Sequence, residues 1–233
     1  MVVSTIGSTV ALGDQVYNMV HNMYLCIDTT TSEAGIKLVD EKAYHTKLDP
    51  HNVSEDILKK IDELIQKAGI ELSDLKGVFV IKGPGSFTGL RVGIAVANQF
   101  AHQLKIPIVG LRTDEWWRER TDEKDFVYLQ SMNKNEIYIS KFKTLNSKLE
   151  IKANIIPIEE LSGKKLWLGE LSDEHRKKLP ADFKEITDLR TPEETWGQVT
   201  KKTDVKSQKT YELVEPYYGK EPTITKSKRK LSI

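Results

Sequence analysis

The 233-residue sequence predicts an α/β fold in which helices cover a mixed sheet. Short apolar runs alternate with two longer segments whose apolar residues recur at helical spacing. From residue 23 to residue 111 they give the order strand-strand-strand-helix-strand-helix-strand. A meander followed by crossover units requires parallel pairing within one sheet, with helices packed over it.

The first strand is the apolar run Tyr24–Ile27, which ends at Asp28 and a threonine-rich turn. Two more strands are predicted at Gly35–Val39 and Ala43–Leu48, separated by a short acidic hairpin turn. Residues 1–22 lack the basic start and long apolar centre of a signal peptide, and we expect a mobile extension there. The first lobe is therefore assigned to residues 23–117.

Two helices and two further strands complete this lobe. The first helix begins at a cap on Asn52 or Ser54 and ends at Gly69. A strand at Val78–Ile81 leads into a glycine-rich turn and a second helix, Leu90–Leu104. The last strand, Ile106–Leu111, carries a proline that places it at a strand start or a sheet edge. This order is typical of a ribonuclease H-like core.

The second half is less regular and predicts a smaller, degenerate second lobe over residues 118–222. Phe126–Ser131 and Glu136–Phe142 are spaced as a hairpin, and Lys165–Leu168 as another strand. Residues 223–233 form a basic tail, which is either solvated or in contact with RNA phosphate.

Composition excludes several functional classes. Thirty-five basic residues balance 34 acidic ones, so there is no global field for nonspecific nucleic-acid binding. The single cysteine, Cys26, has no disulfide partner within the chain, which favours the cytoplasm. The apolar stretches are strand-length, so no membrane segment is predicted. The five histidines lack the spacing that places two imidazoles on one helix face, so no metal site is predicted.

The segment Gly83–Gly89 is the strongest candidate site. A glycine turn between a strand and a helix can present free backbone amides to a phosphate, although a tight structural turn uses the same residues. The segment matches neither a P-loop nor a nucleophile elbow, so Ser86 is expected to cap the helix. The candidate loop residues are Gly83, Gly85, Ser86, Thr88 and Gly89.

Asp28 is the second candidate, because it ends the first strand beside Thr29, Thr30 and Thr31. A carboxylate with neighbouring hydroxyls can hold phosphate and metal. The alternative is a simple turn in which the carboxylate bonds the following backbone.

The second helix is apolar over more than the face that one sheet can bury, which favours a partner interface over burial within the chain. A glutamate at Ile94 or Ala97 is expected to abolish such a complex and leave the monomer folded. The predicted interface residues lie on both helices: Ile57, Leu58, Ile61, Leu64, Ile65, Leu90, Arg91, Ile94, Ala97, Asn98 and Ala101.

Three segments, Ile27–Thr31, Gly83–Gly93 and Ile106–Gly110, resemble the TsaB family, formerly YeaZ. The resemblance covers about Met23 to Trp117, and Val214–Tyr218 is similar to a late family segment. It implies an actin-like ASKHA fold and a cytoplasmic heterodimer with TsaD, which transfers a threonylcarbamoyl group to tRNA adenosine. It also implies that the ATPase TsaE joins the pair and that the two helices form a bundle with TsaD.

The resemblance further implies that the chain has no catalytic role. TsaD holds its metal with two histidines one helical turn apart, whereas the equivalent helix here has Asn98 and His102. The isolated chain is expected to hold no cofactor, and tRNA is expected to be contacted indirectly. A nucleotide, ATP or ADP, at the joint with the partner is left open. The alternatives are an actin-like ATPase or phosphotransferase, a glycoprotease-like hydrolase, and a homodimer formed through the same helices.

Overall fold

A computed structural model describes residues 3–6, 9–12, 15–18, 23–40, 43–49, 52–145, 148–205 and 212–219. Two five-stranded sheets with flanking helices form the body of the protein, as the α/β prediction requires. Among the residues so described, none of the helices combines the length and apolar character needed to cross a membrane.

The N-terminal strands form a small sheet of their own. They form an antiparallel meander, and among the described residues they pair with neither larger sheet. The strands are β1 (Val3–Ile6), β2 (Thr9–Leu12) and β3 (Gln15–Asn18). Mobility of residues 1–22 stays a prediction.

The first large sheet has the strand order β6-β5-β4-β7-β8. Its strands are β4 (Met23–Asp28), β5 (Gly35–Val39), β6 (Ala43–Lys47), β7 (Leu75–Gly83) and β8 (Ile108–Arg112). β4, β5 and β6 are an antiparallel meander, and β4, β7 and β8 run parallel. The predicted order of elements is confirmed, and β8 is an edge strand, as Pro107 indicated.

Two helices cover one face of this sheet: α1 (Val53–Ala68) and α2 (Phe87–Leu104). α1 begins at Asn52 and ends at Gly69, which adopts the left-handed conformation with φ 66° that suits glycine. The Ser86 hydroxyl caps α2 by accepting a hydrogen bond from the Gly89 amide at 3.3 Å. The prediction of Ser86 as a helix cap is therefore confirmed.

The second large sheet has the strand order β11-β10-β9-β12-β13. Its strands are β9 (Val127–Ser131), β10 (Glu136–Leu145), β11 (Lys148–Pro157), β12 (Lys165–Glu170) and β13 (Phe183–Glu185). The remaining helices are α3 (Thr113–Arg118), α4 (Asp173–Lys178) and α5 (Pro192–Lys202), with 3-10 turns at Leu72–Asp74 and Ile158–Glu160. β9 and β10 form the predicted hairpin, whereas β11, β13, α4 and α5 were not predicted.

An aromatic core joins the two sheets. Trp116 on α3 lies 6.0 Å from Trp196 on α5 between ring centroids, and Trp196 lies 6.4 Å from Phe79 of the first sheet. Tyr128 and Tyr138 bring the second sheet into the same cluster. The far face of the first sheet is thus covered by the second half of the chain.

Candidate functional site

Asp28 lies buried at the end of β4, and its carboxylate is occupied by the threonines that follow it. The backbone amides of Thr30 and Thr31 donate to Oδ1 at 2.9 and 3.2 Å. The Thr30 hydroxyl donates to the same oxygen at 3.2 Å, and the Thr31 hydroxyl donates to Oδ2 at 2.5 Å. These bonds are those of a simple turn in which the carboxylate binds the following backbone, which was the alternative to a ligand site at Asp28.

The threonine loop packs directly on the glycine segment Gly83–Gly89. The Thr29 hydroxyl donates to the Gly89 carbonyl at 2.7 Å, and the Ser86 amide lies 3.5 Å from the Thr30 carbonyl. A Cβ atom on Gly89 would lie 2.0 Å from the Thr29 carbonyl oxygen, and one on Gly85 would lie 2.7 Å from Thr30 Cβ. Glycine is required because the two loops touch.

A late segment, residues 212–219, closes the other side of the glycine segment. The Tyr217 amide donates to the Lys82 carbonyl at 2.6 Å. A Cβ atom on Gly83 would lie 2.2 Å from the Tyr217 carbonyl oxygen. We call residues 212–219 the strap, because they run over both the sheet and α2.

The packing of these loops tests whether a phosphate fits between them. The amides of Thr30 and Thr31 donate to Asp28, and those of Gly89 and Leu90 donate to Ser86. A phosphate bound at these four amides would have to displace their bonds within the chain. Whether the loops hold a nucleotide phosphate stays a prediction.

A buried polar network joins the two lobes beside these loops. Asp114 is 0% exposed and forms a bidentate pair with Arg112, with N–O distances of 3.0 and 2.6 Å. The Tyr138 hydroxyl donates to the same carboxylate at 2.9 Å, and the Ser140 hydroxyl also donates to it. Burial, together with the Asp114 charge, raises the pKa of Tyr138 well above its ordinary value, so the phenol stays a donor.

A second polar contact joins the lobes through the loop that follows β4. Glu170, at the end of β12, accepts hydrogen bonds from the Ser32 amide at 2.5 Å and the Ser32 hydroxyl at 2.6 Å. Burial raises the pKa of Glu170 to about 7, although the Ser32 bonds favour the carboxylate. The carboxyl group is therefore shared between its two protonation states near neutral pH.

The predicted interface residues require a correction, because most of them lie inside the chain. Only Leu58, at 59%, and Arg91 are exposed. Eight residues are buried against the chain's own core: Ile57, Ile61, Leu64, Ile65, Leu90, Ile94, Ala97 and Ala101. A glutamate at Ile94 or Ala97 would be buried in the monomer, so the expectation that such a variant stays folded is wrong.

Asn98 also has a role within the chain. Its side-chain amide donates to the Val214 carbonyl at 2.9 Å, and its carbonyl oxygen accepts from the Val214 amide at 2.9 Å. This pair of bonds fastens the strap to α2. Whether the helix pair binds a partner stays a prediction, but the eight buried side chains do not form its surface.

The outward face of α2 carries other residues. Ala95 and Gln99 are exposed, and Val92 and Val96 are half-buried. At the start of the helix, Phe87 is 55% exposed and lies beneath the Arg91 guanidinium, 3.9 Å from its ring centroid. Phe87 was not among the predicted interface residues, although it lies within the glycine-rich segment.

The histidines give no support for a hydrolase. Ser131 Oγ lies 2.7 Å from Nδ1 of His175, but the same oxygen accepts the Ser172 amide, and the imidazole is 1% exposed. The Nε2 atom lies 3.1 Å from the Lys134 carbonyl. These bonds tie α4 to the β9–β10 turn and leave the imidazole inaccessible to a substrate. His21 and His51 lie outside the described residues.

Comparison with known families gives a match over most of the body of the chain. Residues 47–187 match the family model described as TsaD: tRNA N6-adenosine threonylcarbamoyltransferase. The matched range contains both helices of the pair, the glycine segment and the Asp114 network.

Individual relatives match the chain over shorter ranges. The tRNA threonylcarbamoyladenosine biosynthesis protein TsaB of Escherichia coli is 32% identical over 91 residues, which is 38% of this chain and 39% of that protein. The Bacillus subtilis protein of the same name is 35% identical over 39% of this chain and 41% of its own length. The tRNA N6-adenosine threonylcarbamoyltransferase of Geotalea uraniireducens is 35% identical over 41% of this chain and 31% of that protein.

The fold is also similar to solved structures. A protein from Pseudomonas aeruginosa, described as similar to peptidase YEAZ, superimposes with a TM-score of 0.69 over 85% of this chain and 100% of that chain. YeaZ from the same organism gives a TM-score of 0.67 over 84% of this chain and 99% of that chain. Both are 18% identical to this chain, so they establish the fold, which is the actin-like fold that the sequence predicted.

Proposed function

We propose that this chain, which belongs to the family described as TsaD: tRNA N6-adenosine threonylcarbamoyltransferase, acts in tRNA threonylcarbamoyladenosine biosynthesis. Within that family it is a TsaB/YeaZ-type protein. Its proposed role is that of a non-catalytic subunit that binds a TsaD chain. A TsaE chain that joins the pair, and a nucleotide held at the joint, belong to the same proposal. The tRNA would be contacted through the partner.

The outward face of the helix pair carries this proposal. Leu58 on α1 and Phe87 on α2 are both more than half exposed, at 59% and 55%. Covering one such side chain contributes roughly 1.5–3 kcal/mol, so a partner that buries both gains appreciable binding energy. Exposed aromatic and arginine side chains, such as Phe87 and Arg91, are the residue types enriched at interface hot spots.

Family membership supports the identity of the partner. The matched range 47–187 includes α1 and α2, so a TsaD chain carries a related helix pair. Two related pairs can meet through equivalent faces in a pseudo-symmetric contact. The same geometry would also allow two copies of this chain to meet, and this is the competing outcome of the test.

The internal packing of the loops supports the non-catalytic part of the proposal. The Asp28 carboxylate accepts hydrogen bonds from Thr30 and Thr31, and the Gly89 carbonyl accepts one from the Thr29 hydroxyl. Mg-ATP titrated calorimetrically into the isolated chain is expected to give no saturable heat. Saturable binding would favour the ATPase or phosphotransferase alternative.

The direct test is coexpression with the TsaD homologue from the same genome, followed by light scattering of the purified assembly. We expect a mass that corresponds to one copy of each chain. Ala95→Glu places a charge on the outward face of α2 and is expected to abolish the complex, since the charge would be desolvated on association. Ala181→Glu, at an exposed alanine of the second lobe, is the matched control and should leave the complex intact.

Three results would contradict the proposal. One is a chain that ignores the TsaD homologue, and another is a complex that survives Ala95→Glu. The third is a homodimer that persists in the presence of the homologue. Circular dichroism of both variants separates loss of binding from loss of folding.

A further inference from the structure

The strap lies alongside the helix that carries the proposed partner face. Val214 is bonded to Asn98, and the Tyr218 hydroxyl accepts a hydrogen bond from Arg91 Nε at 3.3 Å. From Arg91 to Asn98 the helix rises about 10 Å, and from Val214 to Tyr218 an extended chain spans up to about 13 Å, so the strap follows α2. Arg91, Ala95 and Asn98 recur at spacings of four and three residues, which places them on one side of the helix. Ala95 therefore lies on the side of α2 that the strap follows.

Contacts with the first sheet hold the strap from beneath. The Val214 side chain lies over β8, because a Cβ atom on Gly110 would lie 2.6 Å from Val214 Cγ1. The Tyr217 ring lies under the Arg112 guanidinium, 4.8 Å from the ring centroid. These contacts fix the side of the strap that faces the sheet and turn its other side away from the protein.

The outward side of the strap carries an exposed leucine. Leu213 is 67% exposed, more than Leu58 on α1 or Phe87 on α2. α1 packs against α2, and the strap is bonded to α2, so these three side chains lie on three neighbouring elements. The leucine is bordered in sequence by exposed acidic residues, Glu212 and Glu215. The strap thus adds apolar surface with an acidic border to the proposed partner face.

At the other end of the strap, Tyr218 fixes the exposed Phe87 side chain. The rings of Tyr218 and Phe87 lie 5.3 Å apart between centroids, at an interplanar angle of 32°. The Arg91 guanidinium stacks on the Phe87 ring and donates to the Tyr218 hydroxyl. The three side chains therefore support one another, although Phe87 stays more than half exposed. A side chain that is fixed before association loses less conformational entropy when a partner binds.

We propose that the strap is the third element of the surface that binds the TsaD chain: Leu213 contacts the partner, and Tyr218 holds Phe87 and Arg91 in the conformation that the partner meets. The partner surface that fits is apolar opposite Leu213 and basic around it, because Glu212 and Glu215 border the leucine. This inference rests on the proposed function, whose support lies in α1 and α2. It also goes beyond the family match, since the strap lies outside residues 47–187.

Calorimetric titration with the TsaD homologue from the same genome tests the role of Leu213. Leu213→Ala removes a side chain that is exposed in the free chain, so the free energy of unfolding should stay unchanged. The same change should weaken binding by roughly tenfold, because the partner loses an apolar contact. Leu72→Ala is the matched control: this exposed leucine lies on the 3-10 turn before β7, and its variant should bind as the parent chain does.

Two substitutions of Tyr218 test its positioning role. Tyr218→Phe keeps the ring on Phe87 and loses only the hydroxyl that accepts from Arg91. Tyr218→Ala loses both contacts. We expect Tyr218→Ala to bind the homologue roughly tenfold more weakly and Tyr218→Phe to restore most of the affinity. Equal affinities of Tyr218→Ala and the parent chain would show that Tyr218 does not position the partner face.

Amide hydrogen exchange of the unmodified chain, with and without the homologue, does not depend on any variant folding. Amides of residues 213–218 should exchange more slowly in the complex, and those of residues 72–74 should not change.

The outcomes separate this inference from the proposed function. A complex in which strap exchange is unchanged, or which Leu213→Ala forms as tightly as the parent chain, would overturn the strap surface and leave the proposed function standing. Absence of any complex would contradict both. A strap protected in a homodimer that excludes the homologue would overturn the assignment of this surface to a TsaD chain.

Discussion

Replacing Gly89 with alanine tests the packing of the glycine segment against the threonine loop. The new Cβ would lie 2.0 Å from the Thr29 carbonyl oxygen, and contacts under 3.0 Å are not tolerated, so one backbone must move by about 1 Å. The obstacle is backbone, so a side-chain rotation cannot relieve it. The shift also breaks the 2.7 Å bond from the Thr29 hydroxyl to the Gly89 carbonyl.

The magnitude of the effect follows from three terms. Overpacking costs about 3 kcal/mol at the upper end of its usual range, which applies because backbone meets backbone. The lost hydrogen bond adds about 1 kcal/mol. Alanine in place of glycine in a helix returns about 1 kcal/mol. We therefore expect Gly89→Ala to lower the free energy of unfolding by about 3 kcal/mol.

Urea denaturation measures this difference, and Gly197→Ala is its matched control. Gly197 also lies within a helix, α5, but a Cβ added there would meet no described atom within 4 Å. The control should be stabilised by up to about 1 kcal/mol through the helix-propensity term alone. If Gly89→Ala were as stable as the parent chain, the close contact between the two loops would be refuted.

Three further predictions concern other buried contacts. Asp114→Asn removes a buried carboxylate that pairs with the half-buried Arg112 guanidinium, and should lower the free energy of unfolding by about 3 kcal/mol. Asp125→Asn, at an exposed site, should be neutral, and equal denaturation midpoints for the two variants would contradict this. Asn98→Asp replaces the amide that donates to the Val214 carbonyl with a carboxylate, which cannot donate, so the strap should be released from α2. Chymotrypsin should then cleave the strap faster than in the parent chain. Unchanged cleavage would show that the Asn98–Val214 bonds do not hold the strap on α2. Burial raises the pKa of the Cys26 thiol far above its ordinary value, so the thiol should react with a disulfide reagent only after unfolding; rapid reaction of the native chain would show that β4 is accessible.

The first sheet could be predicted from sequence because each of its elements has a strong local signal. The run Tyr24–Ile27 is continuously apolar, α1 has helical periodicity between clear end signals, and Ser86 follows a glycine turn. Half of the bounds of this sheet's predicted strands and of the second helix moved outward by one to three residues, and two moved inward. For example, the second helix begins at Phe87 instead of Leu90, because glycine at position 89 is tolerated within the helix.

The second lobe carried weaker signals. α5 buries Trp196 and Val199 but is otherwise polar, so its apolar stripe is narrow. Its start did have a signal, since Thr191 and Glu194 form a capping box ahead of the helix. β11 is an edge strand whose apolar residues between Ile151 and Ile156 are half-buried, and alternation alone did not separate it from a loop.

The candidate site shows a different limit of sequence reasoning. Periodicity identifies which face of α2 is apolar, but not what covers that face. Ile94 and Ala97 lie on the buried side of α2, while Ala95, the residue after Ile94, faces outward. Likewise, the glycines of the loop can be read from the sequence, but the reason that glycine is required there cannot. That reason is close contact with Thr29 and Tyr217, which are distant in sequence.

The most direct test of the proposed function is mass spectrometry of tRNA nucleosides after reconstitution with the TsaD homologue and the other pathway enzymes from the same genome. We expect no threonylcarbamoyladenosine when this chain replaces the homologue. When the chain is added to the homologue, we expect a large increase that saturates at one copy of each. Formation of the modified nucleoside by this chain without the homologue would contradict the non-catalytic role. A yield from the homologue that does not change when the chain is added would contradict the proposed partnership.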